Sequence, residues 1–238
     1  MNVNFKNFSK HFAPATLNDF VFVNSSDKKL LEKLISGYKP FPGNGRNGIL
    51  LYGEPGTGKS TLAALLPELT EQARKNRSCD FSTQQNCAAG GQTVASINNL
   101  PILLNFDAFG ASYNYITLDE VDCLTTNAME ALKSVMDMGI RRALFFLTTN
   151  HINKISRAVR DRCYEINMGE ALDPWVPVVR KVLTAYKADV YSDAQILSVI
   201  SNCRGSGRQI LDKSQDLVEH YYELHPDLTA PVLPSIVV

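Results

Sequence analysis

The sequence predicts an α/β fold with a parallel sheet, followed by a small all-helical region, and three observations carry that expectation. Short, mostly apolar runs, "ILLY" (49–52), "YITLDE" (115–120) and "ALFFLTTN" (143–150), alternate with segments of helical periodicity. Such alternation marks strands buried on both faces by helices. The Gly-rich stretch "GEPGTGKS" (53–60) joins the first run directly to a helical pattern. After "CYEI" (163–166) the strand-like runs stop and only helical patterns follow.

Taken in order, "DKKLLEKLIS" (27–36) has helical spacing, with Ser25 or Ser26 placed to cap it and Gly37 to stop it. A Gly/Pro/Asn loop then leads into the "ILLY" strand. "TLAALLPELTEQARK" (61–75) reads as a helix that Pro67 should kink or shorten. "CDFS" (79–82) is a candidate second strand, and 84–112 is the least legible segment. "TNAMEALKSVMDMG" (126–139) is a helix ending in glycine. "DPWVPVVRKVLTAYKA", "SDAQILSVISN" and "GRQILDKSQDLVEHYYEL" are three further helices. The expected domains are 1–167 (α/β) and 168–225 (helical), with 226–238 a flexible, Pro-broken tail.

The composition, 45% hydrophobic and 20% charged over 238 residues, is that of a globular protein. A formal net charge of zero argues against a protein living mainly on nucleic-acid phosphates, without excluding a local basic stripe. No apolar run approaches membrane-spanning length, and the N-terminus has no signal-peptide pattern. Five scattered cysteines without Cys-x-x-Cys point to reduced thiols, a cytoplasmic setting and no structural metal.

The chemistry concentrates in a few places. Gly53, Gly58, Lys59 and Ser60 satisfy G-x-x-x-x-G-K-[ST], in which glycines let backbone N–H groups curl around a phosphate at a helix N-terminus. Gly53, Glu54, Pro55, Gly56, Thr57, Gly58, Lys59, Ser60 and Thr61 are the expected ATP contacts. Lys59 would reach the β/γ-phosphates, and the Ser60 hydroxyl would ligate Mg²⁺. Asp119 and Glu120 emerge at a strand's C-terminal end, where Asp119 suits the Mg²⁺ shell and Glu120 suits polarising a water. Asp122 reads as an N-terminal charge for the next element. Asn150 leaves another buried strand with an amide able to position that water. "VRDRC" (159–163) offers Arg162 with no acidic cluster beside it, so its partner is expected on another molecule.

With these motifs in place, residues from about Phe8 to Leu224 resemble the AAA+ ATPases, and among them the clamp-loader clade of replication factor C small subunits and phage clamp loaders. "FSKHFAPATLNDFVF" is similar to that family's opening, "GEPGTGKST" to its Walker A, "ITLDEVD" to its Walker B and "TTN" to its sensor 1. "RDRC" is similar to the clamp-loader Ser-Arg-Cys motif, and "RGSGRQIL" to the start of the sensor 2 helix. The resemblance implies a P-loop, three-layer domain with a helical lid. It also implies that Arg162 is a finger aimed at a neighbour's γ-phosphate and that Arg208 reaches the γ-phosphate in cis. Arg157, Arg160 and Arg204 are left as solvated or structural. Ser206 and Asp161 depart from the pattern, the bacterial zinc cysteines are absent, and no collar domain is evident.

The expected activity is Mg²⁺-dependent ATP hydrolysis in an oligomer, a ring or spiral of identical or paralogous subunits. The leading role is loading a sliding clamp on primer–template DNA, in the cytoplasm or, for a virus-encoded protein, in the host's. The alternatives are an ATP-dependent assembly switch for a non-DNA partner and a DNA motor or helicase loader. "AAGGQTVASINN" (88–99), where a DNA-facing surface would lie, has no basic residue. "LPILLNF" (100–106) reads as core rather than as a clamp contact.

Overall fold

The computed structural model describes residues 3–88, 94–104, 111–140 and 142–233. Its helices are α1 (Phe8–His11), α2 (Ser25–Ile35), α3 (Lys59–Lys75), α4 (Val94–Leu104), α5 (Thr126–Met138), α6 (Arg157–Arg160), α7 (Val176–Ala185), α8 (Asp193–Ile200) and α9 (Gly207–Leu224). Its strands are β1 (Gly48–Tyr52), β2 (Ser82–Asn86), β3 (Asn114–Asp119), β4 (Ala143–Thr149) and β5 (Cys163–Asn167). They form one parallel sheet in the order β2-β3-β4-β1-β5.

Two compact units are distinguished. One comprises Asn24–Gly53 and Lys59–Met168 and contains the sheet. Alternation along its strands divides the apolar side chains between two faces. Leu50, Ile116, Leu118, Phe145 and Leu147 join Leu100 of α4, Leu132 and Met136 of α5 and Val159 of α6 in one core. Each such side chain contributes about 2 kcal/mol when fully buried. On the other face α3 lies over β3 and β4, with the Tyr115 hydroxyl bonded to Glu71 and the Thr117 hydroxyl to the Ala63 carbonyl.

Two expectations are corrected in this unit. Pro67 neither ends nor shortens α3, which runs through it to Lys75. Proline removes the donor that would serve the Ala63 carbonyl four residues back, and Thr117 supplies a hydroxyl to it at 3.5 Å instead. The second strand is "STQQN", not "CDFS"; it lies at the sheet edge, half exposed, so no apolar run announces it. In the illegible segment, Leu100 and Leu104 of α4 are core, whereas Ile102 is exposed. Residues 89–93 and 105–110, which include parts of two stretches considered above, lie outside the described residues.

The other unit comprises 1–23, Glu54–Gly58 and 169–238. The N-terminal segment thus groups with the C-terminal helices, a division different from a boundary at residue 167. Its cause is aromatic: Phe8 and Trp175 share a core with Tyr186, Val179 and Val182 of the α7 region and Ile210, Val218 and Tyr222 of α9. Phe5 packs 5.4 Å from the Tyr186 ring. Leu233, in the segment expected to be a loose tail, is buried in the same core. No helix among the described residues is long and apolar enough to cross a membrane.

Candidate nucleotide site

Parallel pairing aligns the strand exits. Tyr52 of β1 pairs with Thr149 of β4, and Leu147 of β4 with Leu118 of β3. Gly53, Asp119, Glu120 and Asn150 therefore leave the sheet at the same edge, the C-terminal edge where ligands gather in open α/β sheets.

The loop after β1 carries positive φ at Gly56 (85°) and Gly58 (95°), values that side chains rarely adopt. These turns lead into α3, a 17-residue helix whose first residue is Lys59. Lys59 is 5% exposed, and its Nζ donates to the Gly53 carbonyl at 2.9 Å. Ser60 and Thr61 follow in the exposed first turn. Backbone donors at the start of a long helix, a lysine held at the loop's entrance and a hydroxyl in the first turn suit a polyphosphate.

Glu120 adopts φ 55°, a left-handed conformation uncommon for a residue with a side chain and typical of functional positions. Its N–H donates to Thr148 Oγ1 at 3.0 Å, and the Thr148 hydroxyl donates to Asp119 Oδ1. Asp119 is half-buried, a carboxylate suited to a hard divalent cation. Asp122 does more than begin the next turn. Its Oδ1 accepts from Thr149 Oγ1 at 2.9 Å and from the Asn150 N–H at 3.4 Å, fixing the turn that carries Asn150. Thr148 and Thr149 were not singled out from sequence, and Asp122 was read only as an N-terminal charge; the available signal was a pair of threonines closing an otherwise apolar strand.

In the other unit, Gly207 N–H at the start of α9 donates to the Gly56 carbonyl at 2.9 Å. A Cβ on Gly56 would collide with Ser206 Oγ, so this approach needs a glycine. Arg208, the second residue of α9, is exposed.

Arg162 lies elsewhere. It precedes β5, whose Cys163 pairs with Gly48 at the beginning of β1, so it occupies the N-terminal edge of the sheet. Contrary to expectation it has a partner within the chain. Its Nε and Nη2 donate to the two oxygens of Asp137 at 2.6 and 2.7 Å, and its Nη1 donates to the Ala158 carbonyl at 2.5 Å. Asp137 is 25 residues away, near the end of α5, and reaches Arg162 only through helix packing. The guanidinium holds the Asp137 carboxyl below its ordinary range. Arg160 pairs with Glu165 and Arg157 with Asp161, consistent with structural or solvated roles.

Residues 49–169, just over half of the chain, match the model of the ATPase family associated with various cellular activities (AAA). Replication factor C subunit 3 of Schizosaccharomyces pombe is 31% identical over 160 residues, covering 64% of this chain and 42% of that protein. Replication factor C subunit 5 of Homo sapiens is 27% identical over 208 residues, covering 84% and 57%. The chain thus spans less than two thirds of either relative. A mutant form of RuvB from Thermotoga maritima superposes with a TM-score of 0.61 at 18% identity, covering 90% of this chain and 73% of that one, which shows a shared fold. Matched across the P-loop, the sheet and the strand exits alike, this chain belongs to the AAA family of ATPases.

Proposed function

We propose that the protein is an ATP-hydrolysing subunit of an oligomeric clamp loader, which opens or seats a sliding clamp at a primer–template junction. The observation that carries this reading is the similarity to proteins named as replication factor C subunits. The placement of Arg162 supports an oligomer. Five residues of β1 separate its edge of the sheet from Gly53. At about 3.3 Å per residue that is about 16 Å, more than twice the roughly 7 Å reach of an arginine side chain. Arg162 therefore suits a nucleotide held by another subunit, identical or paralogous.

In this reading the loop N–H groups and Lys59 grip the triphosphate of ATP. Ser60 and Asp119 hold Mg²⁺, which when bound neutralises charge growing on the phosphate oxygens. Glu120 orients the attacking water and takes its proton, while the Asn150 amide fixes the water's position. Arg162 stabilises transition-state charge across the subunit boundary, an effect worth roughly 10³ to 10⁵ in rate. Arg208 meets the γ-phosphate in cis from the helical lid.

Steady-state ATP hydrolysis tests the proposal, measured alone, with single-stranded DNA and with a primer–template junction. Stimulation by the junction well beyond that by single strands is expected. Intact basal turnover that ignores all DNA would instead favour an assembly switch for a non-DNA partner.

A further inference from the structure

Arg162 is anchored at three levels. Its carbonyl accepts from the N–H groups of Asn47 and Gly48 at 3.2 and 3.0 Å, which continues the sheet. The fully buried Asn47 also donates through Nδ2 to the Met136 carbonyl at 2.9 Å, tying the same point to the end of α5. The side chain is then gripped by Asp137, the residue after Met136, and by Ala158. A guanidinium has five N–H donors, and three are engaged here among the described residues, leaving two. The carboxylate takes Nε and Nη2 in the forked geometry that fixes the plane as well as the position of an arginine.

Asp137 stands in a place where a carboxylate is otherwise unfavourable. It lies in the last turn of α5, a helix with no basic residue there, where the helix dipole repels negative charge. The pair with Arg162 offsets that repulsion. The pair is also partly open to water, with Arg162 21% and Asp137 48% exposed, so solvent screens part of its contribution to stability. Fixing a long side chain in one geometry before a reaction, by contrast, can change a rate by orders of magnitude.

We infer that Asp137 is a positioning residue for Arg162, holding the guanidinium so that its two remaining N–H donors face the γ-phosphate bound by the adjoining subunit. The inference rests on the proposed role of Arg162 in trans. Asp137 touches no reacting atom itself.

Mixed oligomers of full-length chains separate the two ideas. Glu120→Gln subunits, which supply a finger but no catalytic carboxylate, are combined with Arg162→Ala subunits, which supply the carboxylate but no finger. Recovered hydrolysis in this mixture establishes action in trans; its absence, with mixed oligomers shown to form, overturns the reading on which the inference depends. The Glu120→Gln partner is then replaced by Glu120→Gln/Asp137→Ala. A fall in recovered kcat of roughly ten- to a hundredfold is expected, with KM for ATP unchanged, because the nucleotide is held by the other subunit. Partial rescue by Asp137→Glu, which keeps the carboxylate, is expected as well. An unchanged kcat would overturn the role of Asp137, and an increased kcat would show that Asp137 restrains the finger instead. Thermal melting of each variant excludes loss of fold as the cause.

Discussion

Glu71 illustrates how much one side chain can hold together. Its buried carboxylate accepts from the Tyr115 hydroxyl at 2.7 Å, Ser112 N–H at 2.6 Å, Ser112 Oγ at 3.2 Å and Arg77 Nε at 2.8 Å. Burial alone would raise its pKa, but the bonds from Tyr115, Arg77 and Ser112 outweigh burial and bring it below the ordinary 4.5. A carboxyl lowered in the folded state stabilises the protein fully above its unfolded value and loses that contribution as pH falls through the folded one. Glu71→Gln should therefore cost about 2 kcal/mol at pH 7, and its urea midpoint should change less than the wild-type midpoint on acidification below pH 4.5. At the site, Lys59→Ala should abolish nucleotide binding measured by titration calorimetry. Glu120→Gln should keep ATP binding while slowing hydrolysis at least about a hundredfold. These residues were legible because a phosphate grip needs contiguous residues of fixed type. Thr148, Asp122 and Asp137 were not, because each acts on a partner that only the fold brings near.

Among the elements, α3 passes through Pro67 because a neighbouring strand replaces the missing bond. Thr117→Val should cost about 1 kcal/mol by orphaning the Ala63 carbonyl. In a Pro67→Ala background, where the helix serves that carbonyl again, the same change should cost less, as a double-mutant cycle of denaturation midpoints would reveal. A proline read alone cannot disclose a donor on another element. The central strands β1, β3 and β4 were legible from their apolar runs, since helices cover both their faces. β2 was not, since its identity as a strand comes from pairing with β3 rather than from its own side chains. The helices of the C-terminal region were legible from period alone, but the packing of Phe5 and Phe8 against them was not, since no sequence period links segments so far apart.

For the molecule as a whole, one strand connects two chemistries. β1 starts at Gly48, whose N–H holds the Arg162 carbonyl, and ends at the loop that leads to Lys59. A Cβ on Gly48 would lie 2.5 Å from Cys163 Sγ and 2.8 Å from Met136 Cε, so Gly48→Ala must displace these buried side chains or the strand itself. We expect that variant to lose about 2 kcal/mol of stability by thermal melting, and to lose finger-dependent hydrolysis in mixed oligomers more than nucleotide binding. The fold class was legible at this scale, whereas the strand's double attachment emerged only from the register. Its consequence concerns timing. If Arg162 serves the next subunit as proposed, β1 would tie this subunit's phosphate loop at one end to the neighbour's site at the other, so that each site would sense whether its neighbour is loaded. Around an assembly, turnover would then pass from subunit to subunit in sequence rather than strike at random.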